Sequence, residues 1–421
     1  MGTIGVMPPE AAVAVETVYR EEWGRIVATL IRLVGDFDLA EEVAQEAFSV
    51  AVDQWRESGV PEFPRAWIIK TAHHKAIDRI RRKTKFEAEL DPEVEVAETK
   101  AGREVEVDEI PDDFLRLIFT CCHPALALES QVALTLHTIC GLETEEIARA
   151  FLVTATTMAQ RLVRAKRKIR DAKIPYVVPV VKEMPERMDA VLTAIYLVFN
   201  EGYASTKGPL VRTDLSGEAI RLARLLRSLL AQNAQPELSG LLALMLLHDA
   251  RREARLDANG DIVTLEEQDR SRWNHAQITE AMPLVVESFR GGAGPYALQA
   301  AIAALHCRAE KYEDTDWRQI VQRYDELARI QPSPVVALNR AVAVAMAEGP
   351  SGGLRLIEEL ASESDLEEYH LLHAAKADLL RRMGATNDAA KSYERALELV
   401  TNDSERRYLE RRLREVRGAV A

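Results

Sequence analysis

Residues 143–170 read ETEEIARAFLVTATTMAQRLVRAKRKIR, and the punctuation of this stretch decides how the middle of the chain folds. Thr144, followed by Glu145 and Glu146, opens a helix, because a hydroxyl at the start and anions in the first turn satisfy free N–H groups and the helix dipole. Ile147, Ala148 and Phe151 face inward, LVTA makes a turn, and a second helix is expected from about Thr156. Two helices around so short a turn have the spacing of a helix-turn-helix, whose second helix lies in the major groove of DNA. That helix carries Arg161, Arg164, Lys166, Arg167, Lys168 and Arg170 and no anion as far as Arg170. Alone, such a run reads as a solvated basic face. After this turn it is a face presented outward for nucleic acid. Pro175 and Pro179 end the unit.

The cations are conspicuous because the 421-residue chain has a formal net charge of −13. The charge is segregated. Residues 65–85 hold Arg65, Lys70, Lys75, Arg79, Arg81, Arg82, Lys83 and Lys85 against Asp78 alone; residues 86–113 are strongly anionic, with only Lys100 and Arg103 opposing. Two basic segments therefore flank an acidic one, which reads as a mobile linker rather than as short strands. The length points to two or three domains. An apolar content of 47% with only 6% aromatics favours helix over sheet. No run of apolar residues is long enough for a membrane span, and MGTIGVMPPE lacks the basic and apolar regions of a signal peptide. The cysteines Cys121, Cys122, Cys140 and Cys307 have no disulfide-framework spacing, so a reduced cytoplasmic protein is expected.

Upstream, Val18, Trp23, Ile26, Val27, Leu30 and Leu33 recur at helical spacing. A second helix, DLAEEVAQEAFSVAVDQW, takes Asp38 as its expected N-cap and buries Leu39, Val43, Ala47, Val50 and Trp55, leaving Glu42, Gln45 and Glu46 on an acidic outer side. Pro61 and Pro64 interrupt the chain. A third helix, RAWIIKTAHHKAIDRIRRKTK, buries Trp67, Ile68, Ala72, Ala76, Ile77 and Ile80 and leaves Arg79, Arg81, Arg82 and Lys83 around its end. From about residue 184 the pattern is helical to the C-terminus. Ala341, Gly353, Ile357 and Leu360 stand 36 residues before Ala377, Ala389, Tyr393 and Ala396, as paired helices in a repeat would require. The unit KADLLRRMGATNDAAKSYERALEL looks like a tetratricopeptide repeat.

Residues 13–173 resemble a bacterial sigma factor of the extracytoplasmic-function group, through DLAEEVAQEAF, WII…AHHKAIDRIRR and LESQVALTLHTICGLETEEIARAFLVTATTMAQRLVRAKRKIR. The rest resembles the C-terminal extension of one subgroup, through FNEGYAST, GLLALMLLHDARREAR, EEQDRSRWN, GPYALQAAIAALH and PSPVVALNRAVAVA. The resemblance implies an all-α protein: a region 2-like domain over 10–85, an acidic linker over 86–113, a region 4-like helix-turn-helix domain over 114–175, and a tetratricopeptide-like extension over 184–421. It implies binding to the largest subunits of core RNA polymerase through Asp38, Glu41, Glu42, Gln45 and Glu46. Promoter −10 DNA, opened to single strand, would meet Arg79, Arg81, Arg82 and Lys83; His74 stands where the family usually has asparagine. Double-stranded −35 DNA would meet the second helix of the helix-turn-helix. There Thr157, Gln160 and Arg164 suit base edges, since Gln pairs with adenine and Arg with guanine, and Arg161, Lys166, Arg167 and Lys168 suit the DNA too, the lysines and Arg167 as phosphate contacts. Val163 offers an apolar contact.

Adjacent Cys121 and Cys122 make poor co-ligands for one zinc ion and read as core. His248–Asp249 resembles the doublet of metal phosphohydrolases, but LHDARREARLD supplies no further ligands nearby; ion pairs of Asp249 with Arg251, Arg252 and Arg255 are the plainer reading. Asn200, Glu201, Tyr203, Asp269, Arg270 and Arg272 form polar clusters that read either as structural networks or as a regulatory groove for a partner protein. No metal, cofactor, catalytic residue or membrane partner is expected. Two other functions stay open: a helix-turn-helix regulator acting without polymerase, and an enzyme in the C-terminal half.

Overall fold

The structure, a computed structural model, describes residues 9–90, 110–151, 153–203, 213–231, 235–363 and 365–418. Residues 91–109, most of the expected acidic linker, lie outside the described residues, as does the Lys83 side chain. The described residues are helical, with no strand among them and a single isolated bridge between Leu256 and Ile262. The all-α expectation is met. The chain divides into two compact units, Met1–Ala194 and Ile195–Ala421.

The first unit begins with α1 (Pro9–Val34), α2 (Phe37–Ser58) and α3 (Pro64–Leu90). Their buried faces follow the apolar spacing: Trp23, Ile26, Val27 and Leu30 on α1, Val43, Ala47 and Trp55 on α2, Ile68, Ala72 and Ala76 on α3. Burying residues of this size is the main force holding the three together. Trp55 is fully in the core, and Trp67 meets it edge-on at 5.5 Å. The N-cap of α2 is Asp36, whose carboxylate accepts from Leu39 N at 2.9 Å. The expected cap, Asp38, sits inside the first turn instead, because Phe37 already has helical geometry. α3 runs to Leu90, past the expected boundary at 85, so the first acidic residues of the linker belong to the helix.

The chain re-enters with α4 (Ile110–Cys121) and α5 (Leu128–Leu134), then α6 (Thr144–Ala150), α7 (Ala155–Asp171) and α8 (Met184–Tyr203). α5 continues as one widened π turn over Thr135–Ile139. Such turns insert one extra residue into a helix; here Cys140 N reaches back to Thr135 O at 3.0 Å. Gly141 closes the turn at φ +75, a left-handed position that suits glycine. α6 and α7 are the expected helix-turn-helix. Thr154 caps α7 by accepting from Thr157 N at 3.1 Å, which starts the helix at Ala155. Met158, Leu162, Ala165 and Ile169 form its buried stripe.

The second unit holds the rest of α8, then α9 (Thr213–Leu229), α10 (Pro236–Asp249), α11 (His275–Ser288), α12 (Pro295–Arg308), α13 (Trp317–Ile330), α14 (Pro334–Glu348), α15 (Pro350–Glu363), α16 (His370–Arg382), α17 (Thr386–Leu399) and α18 (Asp403–Gly418). α10 is apolar all round and almost wholly buried, as a central helix must be. Gly240 lets α12 cross it closely: a Cβ there would lie 2.7 Å from Ala297 N. Glu237 caps α12 from outside, accepting from Tyr296 N at 2.9 Å and Ala297 N at 3.0 Å.

The 36-residue periodicity has a structural counterpart. Ala341 and Ile357 are buried where α14 packs on α15; Ala377, Ala389, Tyr393 and Ala396 are buried where α16 packs on α17. At Gly353 the first pair closes so tightly that a Cβ would stand 2.4 Å from Ala345 Cβ and 2.6 Å from Ala341 O. Its neighbour Gly352 would meet only Val344 Cγ1, at 3.8 Å. Gly353→Val should therefore cost about 1–3 kcal/mol through overpacking, while Gly352→Ala should be neutral or stabilising by up to about 1 kcal/mol. Denaturant unfolding of the full chain would show the contrast.

Candidate nucleic-acid interface

The outer face of α7 carries what its sequence promised. Thr157, Gln160 and Arg164 are exposed, and Arg164 donates to Gln160 Oε1 at 3.3 Å, one turn away. Val163 is 64% exposed on the same face, a large apolar side chain left where a groove-reading helix has room for one. Arg167 and Lys168 point to solvent and Arg161 is half-buried. Among the described residues Arg167 and Arg170 pair with Asp171, at 3.1 and 3.6 Å.

Lys166 departs from expectation. It was grouped with Arg167 and Lys168 as a phosphate contact, but its side chain is only 11% exposed. Its Nζ lies 2.6 Å from Glu41 Oε2 and 2.9 Å from Asp38 Oδ1. The helical periodicity explains this, since position 166 adjoins the buried stripe at Ala165 and Ile169.

Glu41 is the matching surprise. The resemblance implies that it meets polymerase, yet it is 6% exposed. Its carboxylate accepts from Thr138 Oγ1 at 2.7 Å and from Lys166, and His137 Nε2 stands 3.4 Å away. His137 Nδ1 meets Leu142 O at 2.9 Å, an acceptor that requires a proton on that nitrogen. Two of these three partners, Thr138 and His137, come from the widened turn Thr135–Ile139. Burial alone would raise the Glu41 carboxyl. The His137 hydrogen bond and the Lys166 charge outweigh it and hold the carboxyl at about 2. Burial would likewise lower His137, but the Glu41 hydrogen bond and charge raise it above the ordinary histidine value.

Of the other residues expected to meet polymerase, Gln45 is exposed beside a groove lined by Tyr19, Phe48 and Val52. Glu42 and Glu46 are both taken by Arg79 of α3, and Glu46 also pairs with Lys75 at 3.2 Å. Arg79, expected at −10 DNA, is thus bound to α2, while Arg81 and Arg82 are exposed. His74 is exposed on α3 as well.

Further contacts join the same helices. Tyr19 donates to Gly141 O at 3.1 Å, and Arg32 Nε lies 2.7 Å from the buried Asp113. The Tyr176 hydroxyl reaches Ala28 O at 2.9 Å and Asp113 O at 3.1 Å. Gly24 marks the tightest approach: a Cβ there would sit 2.5 Å from Ile139 O and 2.6 Å from Phe114 Cε2. None of these pairings is local in sequence, and no periodicity announces them.

In the second unit the six residues read as a regulatory groove make the following contacts among the described residues. Tyr203 is packed, stacked on Phe199 at 5.5 Å and under Arg255 at 3.7 Å. Arg270 donates to His306 O and Ala309 O at 2.7 and 2.8 Å and lies over Trp273. Asp269 caps a short turn through Ser271 N at 2.9 Å, and Arg272 is exposed. Asn200 bonds Tyr196, and Glu201 also has a partner. One cavity of this unit, about 310 Å³, is lined by residues such as Glu266, His306, Tyr312, Trp317, Asp378 and Arg382. Asp249 is buried and accepts from Gln277 at 2.8 Å and Arg252 at 3.2 Å. Arg251 meets His248 rather than Asp249. Cys121 and Cys122 are buried and free, and no cluster of three or more His, Cys, Asp or Glu able to hold a metal occurs among the described residues.

A three-helix domain is followed by a helix-turn-helix whose second helix is basic and exposed. The description Sigma-70 region 2 matches residues 18–86, and Sigma-70, region 4 matches 116–169. Residues 187–289 match a family of unknown function, DUF6596. An uncharacterized protein of Rhizobium meliloti is 44% identical over 92% of each chain. A probable ECF RNA polymerase sigma factor, SigI, of Mycobacterium tuberculosis is 28% identical over 38% of this chain and 56% of its own length. No solved structure matches. The chain belongs to the family of the Rhizobium meliloti protein, and its first 170 residues carry matches to sigma-70 regions 2 and 4.

The Glu41–His137 pair gives the first unit a defined pH response. Glu41 is lowered on folding, so its contribution is complete above about pH 4.5 and lost as pH falls toward about 2. His137 is raised, so its contribution is complete below its ordinary value of about 6.5 and lost as pH climbs through the raised value. Thermal unfolding midpoints of the full chain should therefore decline as pH rises above about 6.5, and His137→Gln should abolish the part of that decline due to this pair. An unchanged slope above that pH in the variant would mean that the pair carries none of the decline.

Proposed function

We propose that this chain is an RNA polymerase initiation factor of the extracytoplasmic-function type, with a regulatory helical extension. The observation that carries the reading is the exposed reading face of α7 (Thr157, Gln160 and Arg164) set within a match to sigma-70 region 4 and behind a match to region 2. In this reading α7 enters the major groove at the −35 element, where Gln160 and Arg164 discriminate bases and Arg161, Arg167 and Lys168 grip the backbone. Arg81 and Arg82 on α3, with Lys83, hold the opened −10 strand, to which cations supply sequence-independent grip. Asp38, Glu42, Gln45 and Glu46 on α2, with Glu41 once uncovered, offer a basic polymerase surface its complement. The extension is read as tetratricopeptide-like, with helix pairs α14–α15 and α16–α17 one repeat apart, and as the place where a regulatory protein acts. The whole function belongs to the cytoplasm, consistent with the lack of any described helix long and apolar enough to cross a membrane. No bond-making step falls to this chain in such a role.

Run-off transcription with purified core polymerase tests the reading: the chain should confer initiation at a subset of promoters, and failure to do so would remove it. Arg164→Ala should then cost about 1–3 kcal/mol at one −35 base and relax the preference there. Arg167→Ala should weaken binding alike on all sequences and reduce the salt slope by about one. Equal effects from both variants would demote Arg164 to a phosphate contact.

A further inference from the structure

We propose that the cavity between α12, α13, α14, α16 and α18 is a binding site for a small planar aromatic carboxylic acid, its ring held against Trp317 and Tyr312 and its carboxylate turned toward His306. The site stands apart from the initiation-factor reading, and failure of that reading would leave it intact.

The cavity has the size and the walls for such a ligand. Its volume of about 310 Å³ lies at the lower end of small-molecule pockets, about 300–1,000 Å³. His306 and Tyr312 each meet Trp317 edge-on, at 5.1 and 5.7 Å, and Ile320 and Val342 add apolar wall. Rings set edge-on in this way favour a further flat ring among them, in edge or offset contact.

Charge decides which flat ligand fits. Aromatic walls beside carboxylates suit a cation, and Glu266 and Asp378 do line the cavity. Both are already held by Arg382, at 2.8 and 2.7 Å, and Asp378 also holds Arg381 at 2.6 Å. Arg412, a further lining residue, meets Glu415 at 3.0 Å. The lining charges thus compensate one another, and two arginines on His306 tip the balance. Arg270 donates to His306 O at 2.7 Å and lies over Trp273, which Arg251 also faces. Arg251 meets Tyr203 and His248, and Arg270 meets two backbone carbonyls, so among the described residues neither is paired with a carboxylate. Arg251 Nε, Arg270 Nη2 and His306 Nδ1 are all buried without a hydrogen-bond partner.

Burial and these two cations hold the His306 imidazole neutral, its pKa pushed down to about 3. The field that keeps a second proton off this ring is the field that draws an anion to it. A neutral imidazole still carries one N–H, so it can donate to a carboxylate without adding charge. Buried guanidinium groups with no counter-anion are costly, and a carboxylate at His306 offsets part of that cost. A free inorganic anion would leave the aromatic walls bare, and an uncharged ring would leave the arginines uncompensated. A flat monoanion answers both.

Equilibrium dialysis and calorimetry of the full chain with cinnamate, its uncharged counterpart cinnamamide and the cation cinnamylammonium test the site. Cinnamate should bind at one site per chain, at least about ten-fold tighter than either other probe. Asn339 is exposed and lines the cavity, so it stands at the mouth. Asn339→Trp should therefore block entry and weaken cinnamate binding at least about ten-fold, with an unchanged unfolding midpoint. His306→Phe should bring cinnamate and cinnamamide to equal affinity, with circular dichroism showing helix content retained. Comparison of the three probes on the unmodified chain needs no variant, so the preference for an anion is tested even where His306→Phe does not fold. Cinnamamide or cinnamylammonium binding as tightly as cinnamate would overturn the proposal. So would cinnamate binding unmoved by Asn339→Trp, which puts the ligand elsewhere, and so would no binding of any probe at millimolar concentration. A preference for cinnamate retained in folded His306→Phe would overturn the placement of the carboxylate.

Discussion

A buried carboxylate is the constraint around which the first unit is organised. Glu41 stands in a helix whose other buried positions are apolar, and a charge there is tolerable only if several donors converge on it. Thr138, His137 and Lys166 do so, from a turn and a helix more than ninety residues further along the chain. The π turn that supplies Thr138 and His137, the glycine that closes it and the close approach at Gly24 all lie beside that convergence.

The helices themselves were legible because burial follows spacing. The stripes on α1, α2, α3 and α7 were readable as apolar residues at three and four, and the helix-turn-helix was readable from the turn and its caps. Smaller errors have local causes. Asp36 rather than Asp38 caps α2 because both are competent and the choice depends on where helical dihedrals begin. The acidic run after residue 85 looked like linker from composition, yet its first residues continue α3, since Glu and Ala are good helix formers whatever their charge.

The site was only partly legible, and the line falls between what a residue is and what covers it. Periodicity placed Gln160 and Arg164 on the outer face of α7 correctly. It could not say that Lys166, on the flank of that face, meets Glu41 at a sequence separation of 125. Polarity at Asp38, Glu41, Glu42, Gln45 and Glu46 reads as solvent exposure because most acidic residues are exposed. Glu41 is the exception, and only a partner seen in three dimensions reveals it. The extension repeats the lesson: Tyr203 and Arg270 are polar between apolar helices, and their partners, Arg255 over Tyr203 and the carbonyls of His306 and Ala309 on Arg270, are visible only in three dimensions. The cavity lined by Glu266, His306 and Asp378 draws on residues from five or more elements that no single stretch of sequence brings together.

Nearly every acidic residue expected to receive a basic partner already has one inside the chain. Asp38 and Glu41 hold Lys166, and Glu42 and Glu46 hold Arg79, with Lys75 on Glu46. A partner surface must therefore exchange ion pairs rather than add them, and the net gain from each exchange is small. Exchange of this kind favours discrimination over raw affinity: a surface that replaces only some of the internal cations strands the remaining carboxylates, and Glu41, being buried, penalises a partial match most. The acidic helix is in this sense a filter whose selectivity comes from the cations it must give up.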